Sequence, residues 1–254
     1  MSDSLPEIVR KVRLRTPARL LAGRTGGAYR TATQLELRAA HAAARDAVRT
    51  DFNIHKHLGS ELVERFGIFA VISQATSKDE YLLRPDLGRR FADASRADIQ
   101  ARCAAGADLQ IIIGDGLSTA AVTSQVPGLV PQLISGAEDR NWKIGQLFAI
   151  RFCRVGILND LGDLLRPRVA VLLIGERPGL ATAESLSAYM AFQPRSGQTD
   201  ADRNLISNIH ARGVPPAEAA VRILNLAEKL MLLRTSGVAV REELPGRVSG
   251  HLRE

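Results

Sequence analysis

Four short apolar or β-branched runs, at residues 68–73, 109–113, 146–152 and 168–174, alternate along the chain with stretches of helical character. The middle of the second and of the fourth run is apolar at consecutive positions, so neither presents a polar face. Such strands are buried on both sides, as happens in a parallel sheet whose crossover helices cover both faces. The alternation therefore predicts an α/β fold: a doubly wound, mostly parallel, Rossmann-like sheet with flanking helices.

Helical spacing marks the segments between and around these runs. Residues 33–49 are Ala-rich, with Leu35, Leu37, Ala39, Ala42 and Ala43 set among charged positions. Asp51-Phe52-Asn53 then starts a new element. Residues 96–104 and 117–133 also suit helices, although Pro127 and Pro131 are expected to break or kink the second. The best-marked helix opens at Pro215-Pro216, where a missing N–H costs nothing, and carries Ala219, Ala220, Ile223, Leu224, Ala227 and Leu230 on one face. Lys229 and Arg234 favour its C-terminal dipole, and Gly237 is its expected stop.

At about 150 residues per domain, 254 residues make one large domain, or one domain with a small extension. Charge supports the second arrangement. Residues 1–30 hold seven basic and two acidic side chains, which is five of the chain's net seven positive charges. The expected division is a basic arm and helix over residues 1–50 and an α/β domain over residues 51–254. With aromatics at 4% and one tryptophan, Trp142, the stacking platform of a nucleic-acid binder is missing, and no nucleic-acid partner is expected. The longest apolar run, residues 169–174, is far below the roughly 20 residues of a membrane span, and charges occupy the place of a signal peptide's apolar segment. Cys103 and Cys153 have no CxxC or CxxH neighbour, which fits a reducing compartment and a cytosolic protein.

Ligands of open α/β sheets sit beyond the carboxyl ends of the strands. Three segments qualify by position: Gly114-Asp115-Gly116-Leu117-Ser118, Gly175-Glu176-Arg177-Pro178-Gly179-Leu180, and the loop before the last helix at residues 202–210. Their glycines would let a ligand approach the backbone, or would simply turn the chain, with Glu176 paired to Arg177 or a neighbour. Neither GxGxxG after a strand nor GxxxxGK[ST] is present, and no GxSxG elbow marks a hydrolase serine. His55 and His57 lack an acidic or thiol partner at ligand spacing, so no metal site is read from them.

At these loops the chain resembles the small (light) subunit of ethanolamine ammonia-lyase. The resemblance runs in one order over roughly residues 19–239. It is carried by AGRTGG at 22–27, RDAV at 45–48, YLLRPDLGRR at 81–90, DLQIIIGDGLST at 108–119 and RFCRVGILNDLGDLL at 151–165. LLIGERPGL at 172–180, ESLSAY at 184–189, DRNLISNIH at 202–210 and PPAEAA at 215–220 complete it.

The resemblance implies a chain with no catalysis of its own. A TIM-barrel large subunit would hold ethanolamine, this chain would close over adenosylcobalamin from the other side, and six such heterodimers would assemble. Cofactor contacts would map by motif onto Val155 in CRVGI, Glu176 in GERPG and Leu205 in RNLISNIH. Leu205 departs from the family, which commonly has cysteine there, so a thiol contact is exchanged for a backbone or dispersion contact. Glu176 would accept a hydrogen bond from a corrin amide or an adenosyl hydroxyl. No DxHxxG histidine is present to ligate cobalt, so the cofactor would keep its own dimethylbenzimidazole, base-on. The start of the chain is short beside members whose leader is associated with a bacterial microcompartment, which favours free cytosolic enzyme over encapsulation. From the residues alone two rivals stand: a nucleotide-binding or regulatory α/β protein, and an adaptor whose basic arm docks an acidic partner. Arg154 is expected to face either the corrin side chains or, by preference, a carboxylate such as Asp160, and Arg203, Asn204, Ser207 and Asn208 to form a polar network near the cofactor or the large subunit.

Overall fold

The computed structural model describes residues 6–14, 24–178 and 182–242. Ala22, Gly23, Gly179 and Leu180 of the motifs above, and part of the basic stretch at residues 1–30, lie outside them. The N-terminal part comprises α1 (Glu7–Leu14), a hairpin of β1 (Arg24–Thr25) and β2 (Ala28–Tyr29), and α2 (Thr31–Arg49). Neither α1 nor α2 buries a residue. Then come α3 (Ile54–Leu58), α4 (Ser60–Arg65), β3 (Phe69–Ile72), α5 (Lys78–Leu83), α6 (Asp93–Arg102), β4 (Leu109–Gly114) and α7 (Thr119–Glu138). The chain continues through β5 (Phe148–Arg151), α8 (Ile157–Leu165), β6 (Val169–Gly175), β7 (Leu186–Phe192), β8 (Asn204–Ile209) and α9 (Pro216–Leu233).

The six-stranded sheet has the order β3-β5-β4-β6-β7-β8. β3, β5, β4 and β6 are parallel, and β7 and β8 extend the sheet antiparallel. The four anticipated strands are therefore the four parallel ones. β4 and β6 are buried at every position, because α7 and α9 pack on one face and α6 and α8 on the other. Alternation sorts their side chains: Leu109, Ile111, Ile113, Val169, Val171 and Leu173 join the α7–α9 core, whereas Ile112, Leu172 and Ile174 join the α6–α8 core.

Three expectations are corrected. Residues 204–209 are a strand and not a loop: β8 pairs with β7 through Leu186–Ile209, Ala188–Ile206 and Tyr189–Leu205. Pro127 and Pro131 sit inside α7, which continues past both, so the expected break is absent. The helix holds because Val122, Val126, Leu129, Val130 and Leu133 are all buried beneath α9 and the sheet, while both prolines are half-buried and one turn apart on its outer side. Finally, α9 stops at Arg234, which takes the left-handed conformation at φ 54°, three residues before Gly237.

Candidate functional site

One row of cross-strand neighbours runs the width of the sheet on the α6–α8 side: Phe69, Phe148, Ile112, Leu172, Tyr189 and Leu205. The first four are buried, Tyr189 is half-buried, and Leu205 is 45% exposed. α7 and α9 supply the cover on the opposite side, where Ile206 and Ile209 enter the core. Among the described residues the α6–α8 side of the sheet is covered across β7, where Ser187 and Ala191 are buried and Tyr189 half-buried, and opens only at Leu205 on β8.

Two other anticipated contacts reach the same face. Glu176 follows β6, in phase with Leu172 and Ile174, and its Oε1 accepts from the Tyr189 hydroxyl at 3.3 Å. Burial, then the nearby Glu176 charge, pushes the Tyr189 phenol up to about 12, so it remains a donor through the neutral range. No ion pair to Arg177 forms among the described residues; the backbone N–H of Glu176 bonds to Ser185 instead. Val155 lies between β5 and α8 and packs on the same apolar cluster as Tyr189. Tyr189 therefore links Glu176, by its hydroxyl, and Leu205, by strand register, and the sequence reading did not single it out, although it closes the ESLSAY motif.

The loop bearing Val155 is held by Asp115. This carboxylate is 1% exposed and accepts from the backbone N–H of Phe152 at 3.0 Å and of Cys153 at 2.8 Å. Burial pushes its pKa upward; Nζ of Lys78, 3.7 Å away, and the backbone donors pull it back. Tyr81 adds a hydrogen bond from its hydroxyl to the Cys153 carbonyl at 2.9 Å. Phe152, between these contacts, has φ 59°, a left-handed conformation that a side chain adopts only under such constraint. Asp115 positions the loop.

The two glycine-bearing loops are likewise used internally. Leu117 N–H bonds to the Gly175 carbonyl, and a Cβ at Gly116 would collide with that same carbonyl. A Cβ at Gly175 would collide with the Ser118 carbonyl. Gly116 and Gly175 bring the β4 and β6 loops against each other, which is the close approach that their missing Cβ atoms permit.

Other polar residues divide their tasks. Asp160 is taken by Arg96 and by the backbone N–H of Phe91, so the expected Arg154–Asp160 pair does not form; Arg154 lies 4.2 Å over the Tyr81 ring. Arg203 bonds Asp200 and Asn159, Asn204 ties β8 to Gly237 and Val240, and Asn208 bonds His210. These are separate anchors and not one network. His57 packs against Phe52 and bonds back to Asn53. Beside Val155 opens a cavity of about 880 Å³, bounded by the turn after α5, the start of α8, residues 196–200 and Arg203. Among the described residues no helix is long and apolar enough to cross a membrane.

Fold and surface together define a doubly wound α/β subunit that presents an open, amphipathic wall at its sheet edge. Residues 6–241 match the family model of the ethanolamine ammonia-lyase light chain. The chain is 38% identical over 231 residues to the ethanolamine ammonia-lyase small subunit of Clostridium perfringens, covering 91% of this chain and 76% of that protein. To the protein of the same name in Listeria monocytogenes it is 39% identical, with 91% and 77% covered, and to that of Fusobacterium nucleatum 38% identical, with 89% and 75% covered. The chain belongs to the ethanolamine ammonia-lyase light chain family.

Proposed function

We propose that this chain forms one side of the cobalamin site of an adenosylcobalamin-dependent ethanolamine ammonia-lyase. A TIM-barrel large subunit binds ethanolamine and completes its conversion to acetaldehyde and ammonia. The observation that carries this reading is Leu205: a large apolar side chain, 45% exposed, at the end of a row that is otherwise core. Left in water, the exposed part of this side chain gains nothing; against the apolar face of a corrin, its burial contributes about 1 kcal/mol. Val155 continues the apolar wall. Glu176, oriented by Tyr189, offers its remaining oxygen to a donor, and a corrin rim is lined with amides. That hydrogen bond contributes about 1.5–3 kcal/mol.

When bound, adenosylcobalamin supplies the organic radical that begins the rearrangement of ethanolamine. On this chain Glu176 would hold the cofactor by accepting a hydrogen bond from one of its amides or hydroxyls, with Val155 and Leu205 as the apolar contacts. The nearest approach to a cobalt-ligating motif is Asn208-Ile209-His210-Ala211-Arg212-Gly213. Its imidazole is 4% exposed and both nitrogens are committed, Nε2 to Asn208 Oδ1 at 2.7 Å and Nδ1 to the Arg212 N–H at 3.2 Å. That commitment favours a base-on cofactor. In this reading residues 51–254 form the cobalamin-binding domain, residues 1–50 an arm applied to the assembly, and the complex is a hexamer of heterodimers in the cytosol, free or inside a microcompartment.

Reconstitution tests the proposal. The purified chain, mixed with a large subunit and adenosylcobalamin, is expected to form a stable complex with a bound-corrin spectrum and to release ammonia from ethanolamine, with neither subunit active alone. A bound nucleotide in the isolated chain, or a complex that forms without any corrinoid requirement or activity, would overturn it.

A further inference from the structure

The sheet reverses its strand order between β4 and β5, which lie side by side. The chain leaves β4 toward α7 on one face, returns to β5, and leaves that strand toward α8 on the other face. In open α/β sheets such a crevice, beyond the carboxyl ends of two neighbouring strands, is where ligands are received. Asp115, the first residue after β4, fills it. Its two oxygens are shared out: Oδ2 accepts from the Phe152 N–H at 3.0 Å and Oδ1 from the Cys153 N–H at 2.8 Å. Nζ of Lys78 stands 3.7 Å from Oδ2.

These donors are an anion-binding set in their own right. Successive backbone N–H groups at a left-handed residue form a concave nest that attracts negative charge, and Phe152, at φ 59°, is that residue. The Lys78 ammonium adds a full positive charge, and Asp115 is its one carboxylate among the described residues. Its other neighbours do not neutralise it: they are the Gly116 carbonyl at 3.4 Å and the rings of Tyr81 and Phe152, whose centroids lie 5.0 and 5.9 Å from Nζ. A nest backed by a lysine would hold the phosphate or carboxylate of a free ligand equally well. Here the anion is tethered to the end of β4.

We infer that the β4–β5 crevice is a carboxylate-binding site occupied from within: Asp115 is its resident anion and keeps it closed to free anions, nucleotide phosphates included. Detaching that carboxylate leaves the nest and Lys78 around a space of one small carboxylate, so the opened site takes formate and excludes anything bulkier.

Asp115→Ala removes the tethered carboxylate and allows a direct test. Urea unfolding of the full chain is followed in sodium formate and in sodium chloride at equal ionic strength. The midpoint of Asp115→Ala should rise with formate concentration along a binding curve; at about ten times the dissociation constant so defined, the folded-to-unfolded ratio is raised about elevenfold over chloride. Wild type, whose site is full, should show no difference between the two salts. Sodium benzoate, too large for the space, should act as chloride does. Asp115→Asn, whose amide still fills the space, and Asp115→Ala/Lys78→Met, which lacks the ammonium, should not respond to formate. If Asp115→Ala does not fold in chloride, recovery of the native circular dichroism on refolding in formate, and not in chloride or benzoate, is the same result. A formate effect that is absent from Asp115→Ala in both assays, equal in wild type, or undiminished without Lys78 overturns the site.

Discussion

The hydroxyl of Tyr189, in the middle of β7, donates to Oε1 of Glu176 just beyond the end of β6, across 3.3 Å and thirteen residues of sequence. The bond makes a loop carboxylate part of the sheet's geometry, and it places a directed acceptor beside the apolar surface of Leu205, the strand neighbour of Tyr189.

Tyr189→Phe keeps the ring in the row and removes the donor. Stability should fall by about 1 kcal/mol, the net worth of an ordinary hydrogen bond. Glu176→Gln should weaken adenosylcobalamin binding to the complex by roughly tenfold or more, the equivalent of a lost charge-assisted bond. Because Tyr189 acts through Glu176, the tyrosine change should add little to the affinity loss once Glu176 is already replaced. A double-mutant cycle read by corrinoid titration checks this; fully additive losses would show that the two residues act apart.

Asp115 is the buried pin of the β5–α8 loop, and its removal has a different signature. Asp115→Ala strands the Lys78 ammonium, whose side chain is 10% exposed, and frees two backbone donors in the interior. Breaking a buried ion pair from one side costs about 3–5 kcal/mol. Urea unfolding of the isolated chain should register that loss, and adding Lys78→Met should recover part of it by removing the orphaned charge. A midpoint unchanged in Asp115→Ala would refute the anchoring role.

The contrast between Asp115 and Leu205 shows what could be read in advance. The four parallel strands were legible because burial on both faces leaves β4 and β6 with an unbroken apolar signal. The helix at Pro216–Leu233 was legible from its three- and four-residue spacing. β8 was not, because only Ile206 and Ile209 enter the core while Leu205, Ser207 and Asn208 remain exposed, and a strand with one bare face at an irregular register looks like a polar loop. The feature that hid the strand is the same one that leaves a wall for a ligand. Nor could spacing show that Asp115 points inward, since Lys78, Phe152 and Cys153 come to it from distant segments. Val155, Glu176 and Leu205 were singled out by family motif, whereas Tyr189, the neighbour of Glu176 and Leu205, needed the strand register.

The turn after β8 should be sensitive to acid. Burial, reinforced by the nearby Arg212 charge, holds the His210 pKa below its ordinary value of 6.5. The neutral ring accepts the Arg212 N–H at Nδ1, and a proton placed there would abolish that bond. A depressed histidine pKa means that the stabilisation is whole above the unfolded value and is lost as pH falls through the lower folded value. The stability of the chain should therefore be flat in this respect above about pH 6.5 and decline below it. In His210→Gln that part of the slope should vanish, which urea melts across pH 5 to 8 would reveal. An NMR titration placing His210 above 6.5 would contradict the assignment.

Leu205 allows the cleanest separation of folding from binding. Its side chain is exposed in the isolated chain, so Leu205→Asp should alter the chain's own stability by no more than about 0.5 kcal/mol. In the complex the same carboxylate would be driven against an apolar ligand surface, with loss of the leucine's burial and added desolvation of a charge. Corrinoid affinity should drop by at least about tenfold. Leu205→Cys should bind nearly as well as wild type because the wall needs an apolar contact of moderate size at that point. If Leu205→Asp unfolds the chain, the position is core and the sheet face is not bare; if it folds and binds the corrinoid normally, the ligand lies elsewhere.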